Sequence, residues 1–548
     1  MKLRFNSLLI FISLLFIAHA LFYFVVLGYA AVDDAFISFR YAQSAMRGYG
    51  LVFNPGERVE GFTNFLWTVA MIPLEGARAD VGRASMLLGA LFALATMWRA
   101  MRFARIVDAP RGVGFLTAVL LAADGSFVLW SVSGLETPLF AFLIFAGALL
   151  YVRENRLEIG RWKLDVGNNA PRSNIQPPIS TLRVQFPNPR SAALVRVQNE
   201  FAFSGIFFAL AAMTRPEGAL VFALTVAHQA AWRILAERRL FTLRDVLRVI
   251  AFIAIFAPYW IGRWYYYKSF LPNSFHAKVS ASGPAAQIER GWKHLAQFVG
   301  VHWGWVITLP VIAAIAQSLH KTFKIEKKSR AAIFWISYFI AILIPYCAYI
   351  VYVGGDWSVG RFFAPLLPFF YLLFSTGIVD MWQFSVDSWG QLNAKWLVRA
   401  GITALVLGIV LASSWIGEYG IYIRGFDAGQ ATRARETMGR WLKTNVPRGT
   451  LIAVDAAGQV PYFSDLPAID MFGINDFHIG RLAVPTLGQG TPGHEKMDLV
   501  YVLTRQPEYV VIYGTLFDSI REYERAPQVW TDDPALQKFL TLYRRRGQ

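Results

Sequence analysis

Long apolar blocks recur along most of this 548-residue chain, and they leave it few ways to fold. Each is close to the roughly 20 residues that a helix needs to cross the hydrocarbon of a bilayer. Such runs predict spans near 7–29, 83–104, 113–131, 135–152, 197–214, 216–236, 247–267, 300–319, 332–353, 361–383 and 397–419, eleven in all. Composition agrees: 55% of residues are hydrophobic and 16% charged, against about 45–50% and about 25% in an ordinary soluble domain. The expected fold class is an α-helical polytopic membrane protein. The first run exceeds the roughly 7–15 apolar residues of a signal-peptide core, so it reads as a retained helix. The single cysteine, Cys347, lies in an apolar run, excludes an internal disulfide and reads as a small core residue.

The net charge of +17 points to cytoplasmic loops rather than to nucleic acid, because Lys and Arg collect on the inner side of a membrane protein. With a cytoplasmic N-terminus, the inside loops include "AERRLFTLRD", "HKTFKIEKKSRA" and an insertion over 155–196 that is rich in Arg, Pro and Asn. The outside segments are then 30–82, 132–134, the junction near 215, 268–299, 354–360 and everything after 420. The stretch 62–74, "FTNFLWTVAMIPL", is apolar but short, and is expected to be re-entrant or interfacial. Two domains follow: 1–420 in the membrane and 421–548 outside. In the second, apolar stretches such as "PEYVVIYG" alternate with helical spacing, which predicts a small α/β domain.

Six polar clusters fall on the outer side: "VDDAFISFRYA", "NPGERVEGFTNF", "SGLETPLF", "TRPEGAL", "LPNSFHAKVS" and "GGDWSVGRFF". Ionisable groups at the ends of spans are costly unless paired or hydrated, so together they mark a cavity; singly, each could be a loop or a helix cap. Asp33 and Asp34 are the candidate catalytic carboxylates, since a carboxylate beside low dielectric has the raised proton affinity of a general base. On a helix they point about 100° apart, which argues against a twin site; N-capping is the competing reading, above all for Asp34. Arg40, Arg58, Arg215, Arg263, Lys268, His276, Lys278 and Arg361 are candidates to bind an anionic lipid phosphate. His276 and Lys278 share a side if their stretch is extended. Glu60, Asn64, Glu136, Glu217 and Asp356 complete the substrate-binding candidates. In the C-terminal domain, Asp455, Asp470, Asp476, His478, His494 and Glu495 offer groups for a glycan, or caps for strands and helices. No His/Asp spacing argues for a metal; a divalent cation near the carboxylates is left open.

Taken in order, "DDAFISFRYA", "GLVFNPGERVEGFTNFLW", "GLETPLFA", "RPEG", "LPNSFHAK" and "GGDWSVGRF" resemble the GT-C superfamily of glycosyltransferases, and within it the mycobacterial terminal arabinofuranosyltransferase family. The C-terminal "VDAAGQVPYFSDLPAIDMFGINDFHIGRL" is similar to that group's extracytoplasmic domain. The resemblance implies transfer, with inversion, of a sugar from a polyprenyl-phosphate carrier to a cell-envelope glycan at the outer face of a bacterial inner membrane. It also implies that Asp33 or Asp34 is the base; of the polar groups in the C-terminal domain, His494 is the candidate to bind the acceptor. Two features depart from it: His276 stands where relatives often carry Tyr, and the 155–196 insertion is unfamiliar. Two other classes compete. A lipid-linked-sugar flippase would show repeated halves, and none is evident; a glycan-binding membrane protein without activity would keep the fold alone.

Overall fold

The computed structural model describes residues 5–26, 28, 30–107, 109–167, 202–237, 241–279, 284–302, 316, 329–387, 392–411, 428–527 and 529–547. Its N-terminal part is helical: α1 Phe5–Leu21, α2 Asp33–Met46, α3 Phe65–Gly76, α4 Val81–Val107, α5 Arg111–Ala123, α6 Gly125–Ser131 and α7 Thr137–Gly167. After the insertion come α8 Ser204–Thr214, α9 Glu217–Trp232, α10 Leu243–Tyr267, α11 Asn273–Lys278, α12 Pro284–His302, α13 Ser329–Tyr352, α14 Leu367–Asp387 and α15 Leu392–Leu411. Among the described residues, seven helical segments are long and apolar enough to cross a bilayer, and α5 with α6 makes an eighth bent by 69°. The protein is a multi-pass membrane protein. Two expected spans, 197–214 and 397–419, show shorter apolar helices in their described parts. Most of the expected span 300–319 and most of the 155–196 insertion lie outside the described residues.

Polar groups bury where the chain leaves regular structure. At the α5–α6 break, the Asp124 carboxylate caps α6 by accepting from the Phe127 N–H (2.7 Å), and it also takes the Tyr371 hydroxyl. Most of the stretch 62–74 falls in the twelve-residue helix α3, which starts at Phe65 and whose Trp67 donates to the Gly134 carbonyl (3.0 Å). Of the arginines on the basic inner loop "AERRLFTLRD", Arg244 is instead buried and donates to the Glu154 carbonyl; beside it Arg233 and Arg248, from the expected spans, flank Asp245, each at 3.1 Å, and Arg248 reaches Glu154 at 3.2 Å.

The C-terminal part starts with α16, Ala428–Asn445, followed by β1 Ile452–Val454, α17 Gln459–Ser464, β2 Ala468–Asp470, β3 Tyr509–Ile512, β4 Tyr523–Arg525 and β5 Thr541–Arg545. The sheet order is β2-β1-β3-β5-β4, with β1 parallel to both neighbours and β5 antiparallel to β3 and β4. Period-two alternation sends Ile452, Val454, Tyr509 and Val511 to the face covered by Ala434, Met438 and Leu442 of α16, while Ala453, Val510 and Ile512 serve a second core. The first core also contains Ile37, Tyr41, Phe53 and Phe62 from the membrane part. Apolar burial therefore joins α2 and the segment after it to the sheet domain.

Polar contacts fix the register of that joint. Asn54 pairs with the backbone of Ala468 in both directions, at 2.9 and 3.0 Å, as a neighbouring strand residue would. Tyr462 donates to Glu75 (2.7 Å), and Arg47 pairs with Asp465. Gly458 packs so closely on the start of α2 that an added Cβ would collide with the Asp33 carbonyl. Gly458→Ala is expected to cost about 1–3 kcal/mol of stability, as overpacking of a dense site does. It should also pull the sheet domain off α2, giving faster protease cleavage between the two parts in a limited digest. An unchanged digest and melting temperature would contradict this.

Candidate active site at the domain junction

The N-terminus of α2 is placed by its neighbours. Val32 donates to the Ser133 carbonyl (3.0 Å), and Gly134, at φ +82°, lets the "SGLETP" loop close on Ala31 and Ala35. The helix begins at Asp33 with Val32 as its cap residue, and no side chain caps it. Neither aspartate is the N-cap; both sit in the first turn, where the helix dipole favours negative charge.

The two carboxylates diverge, as adjacent helix positions must. Asp34 faces the bundle: it accepts from Arg361 (2.9 Å) and from the Trp357 indole (3.1 Å), and its side chain is 31% exposed. Burial pushes its pKa up, but Arg361, Lys278 and the Trp357 hydrogen bond more than offset this and hold it below the usual carboxylate range. Asp33 faces the sheet domain: it accepts from the backbone N–H groups of Gln459 (2.8 Å) and Gly458 (3.1 Å), with Arg435 at 3.9 Å and 16% exposure. Burial dominates there and raises its pKa, against the opposing pull of Arg435 and the two N–H groups.

Both aspartates line one cavity of about 400 Å³, shared with Lys278, Trp357, Arg435, Asp455, Asp470 and His494. Its floor is the bundle and its roof is the loops after β1 and β2. Among the described residues, no group of three or more His, Cys, Asp or Glu side chains is arranged to hold a metal ion.

Behind Asp34 runs a buried chain of charges. Arg361 also lies 3.6 Å from Asp356 and 3.9 Å from Glu136. Glu136 accepts from Arg215 (2.7 Å) and Asn64 (2.8 Å), and Arg215 pairs with Glu217 (2.9 Å). Clusters far apart in sequence thus join into one network. Ion pairs of this kind contribute little net stability but are costly to break, because the surviving partner is left charged and dry.

Other candidates take different positions. Arg40 does not line the cavity. It is buried, and its guanidinium donates to the carbonyls of Phe53 (2.8 Å), Leu466 (2.7 Å) and Pro461 and to Asn54 (3.2 Å), bracing α2 against the sheet domain. Glu60 is held by Arg263 at 2.6 Å. The "PNSFHAK" stretch is helical, so His276 and Lys278 do not share a side: Lys278 reaches the cavity, and His276 is not among the lining residues. His494 is at the cavity and packs edge-on to Phe472, with ring centres 4.8 Å apart. Asp476 caps a short helix, and Glu495 pairs with Arg290 (2.8 Å). Sequence reading missed Arg435 and Trp357. Arg435 sits in an amphipathic helix where one more arginine gives no signal, whereas the indole N–H inside "GGDWSVGRF" offered one.

Comparison with known proteins is consistent with this architecture. Residues 422–545 match a family described as Domain of unknown function (DUF8728). The chain is 26% identical over 419 residues to the terminal beta-(1->2)-arabinofuranosyltransferase of Corynebacterium glutamicum, an alignment covering 72% of this chain. The chain spans about half, 52%, of that relative's length. Among solved structures, ArnT from Cupriavidus metallidurans bound to undecaprenyl phosphate superposes with a TM-score of 0.54 at 13% identity, over 97% of both chains. The archaeal oligosaccharyltransferase AglB from Archaeoglobus fulgidus, in complex with an inhibitory peptide and a dolichol-phosphate, gives 0.54 at 12% identity, over 92% of this chain and 69% of that one. The fold is a GT-C fold, as the sequence resemblance implied.

Proposed function

We propose that this protein is an inverting glycosyltransferase that moves a sugar, arabinofuranose on the best reading, from a polyprenyl-phosphate carrier to a hydroxyl of a cell-envelope glycan. The observation that carries this reading is the junction cavity, where a proton-hungry carboxylate, Asp33, lies one residue from a carboxylate committed to cations. Asp33 takes the proton of the acceptor hydroxyl. The freed oxygen attacks the anomeric carbon, and the bond from that carbon to the phosphate oxygen breaks on the opposite face. Lys278 and Arg361 stabilise the charge that grows on the departing lipid phosphate. Asp34 holds Arg361 and Trp357 in place for that task. Glu136, Arg215 and Glu217 set Arg361 from behind. The basic inner loops support a site on the extracytoplasmic side, the bacterial origin of the curated relative and of ArnT supports a bacterial inner membrane, and the curated relative's name supports the choice of sugar.

The test uses the full chain in nanodiscs with a synthetic prenyl-phosphoryl arabinofuranose and an arabinofuranoside acceptor. Glycosidic product should appear with release of prenyl phosphate. The rate should fall as pH drops through the pKa of Asp33, which is an acid that must be ionised to act; because burial raises that pKa, the fall should begin above the usual aspartate range. No product with any prenyl-phosphoryl sugar, together with movement of the lipid across a liposome membrane, would replace the enzyme reading with that of a flippase.

A further inference from the structure

We infer that the carboxyl ends of β1 and β2 form the acceptor-sugar subsite, with Arg435 and Asp455 holding the hydroxyls that flank the one Asp33 deprotonates. This rests on the reading of Asp33 as the base. Inversion requires the acceptor to approach opposite the departing phosphate. Asp34 and Lys278 line the bundle side of the cavity, with Arg361 paired to Asp34 from behind, which leaves the sheet-domain side, toward which Asp33 points, for the acceptor.

That side has the form of a sugar site. β1 is a central strand with parallel neighbours on both sides, and the chain leaves it first toward β2 and later toward β3. Open α/β sheets bind ligands in the crevice outside the carboxyl ends of strands at such a reversal. Asp455 immediately follows β1, and its carboxylate is oriented by the N–H groups of Tyr513 (2.6 Å) and Ala456. Arg435 comes from α16, and its buried Nε has no hydrogen-bond partner among the described residues. Thr432, three residues earlier on the same helix face, also lines the cavity. A fixed acceptor and a fixed donor side by side suit vicinal hydroxyls, each of which both donates and accepts. Asp470, by contrast, is 2% exposed and accepts a third bond, from the Asn475 side-chain amide, besides the N–H groups of Phe472 and Asn475, so it shapes the loop.

Binding of a panel of alkyl pentofuranosides and hexopyranosides to the full chain, without donor, tests this by calorimetry. At least one glycoside should bind. Arg435→Met and Asp455→Asn should each weaken it about tenfold or more, the scale of losing a hydrogen bond to a charged group. In transfer assays the same variants should raise the acceptor KM and leave the donor KM within about twofold. Thr432→Val, the mildest change, should weaken binding several-fold with an unaltered melting temperature, which covers the case of Arg435→Met failing to fold. No binding from the whole panel, or equal binding in all three variants, overturns the subsite. Undiminished transfer by Asp33→Asn would overturn the base instead and would leave glycoside binding intact, so the two failures are distinguishable.

Discussion

Asp33→Asn is expected to lower the transfer rate by roughly 10²–10⁴-fold, the usual worth of a positioned general base, while prenyl-phosphate binding stays close to wild type. The substitution is nearly isosteric but removes the proton acceptor. It also turns an amide NH₂ toward one of the Gly458 and Gln459 N–H groups that the carboxylate now accepts. A modest loss of junction stability should accompany the loss of rate, and a melting curve separates the two. Asp34→Asn should behave differently. Its partners are Arg361 and Trp357, so its main effect should fall on the donor KM. If Asp33→Asn turns over normally and Asp34→Asn is dead, the two roles are exchanged. If both turn over normally, neither aspartate is the base.

Arg215→Met is expected to be the most damaging change away from the cavity. Arg215 lies between Glu136 at 2.7 Å and Glu217 at 2.9 Å, and all three side chains are largely buried. Removing the guanidinium leaves carboxylates without their cation in low dielectric, a defect that costs about 3–5 kcal/mol. Burial on its own would raise the pKa of Glu136, and Arg215 and then Arg361 hold it below the usual range. Without Arg215, Glu136 would gain affinity for a proton, so the stability deficit should shrink as pH falls. Thermal unfolding in detergent at neutral and mildly acid pH reads this directly. Arg215→Lys should rescue only in part, because a single ammonium cannot copy the fork that bridges two carboxylates. A deficit under about 1 kcal/mol in Arg215→Met would show that water reaches this network and relieves the charges.

The sequence by itself determined the helical membrane part, the α/β character of the C-terminal domain and the GT-C resemblance. Those depend on hydropathy period and on motif order, both written along the chain. It also flagged "DDAFISFRYA", "SGLETPLF", "RPEG" and "GGDWSVGRF" as one functional set, since uncompensated charge beside lipid is too costly to be incidental. Only the tertiary structure decided which groups meet. Arg40 and Arg361 look alike as residues, yet one is spent on the backbone carbonyls of a docked domain and the other on Asp34. His276 and Lys278 parted because a short helix replaced an extended strand. Arg435 and Asp455 arrived from more than 400 residues away in sequence. The identity of Asp33 as a carboxylate is local information, but its proton affinity is set by burial under the sheet domain and by which N–H groups and cations that docking brings within about 4 Å.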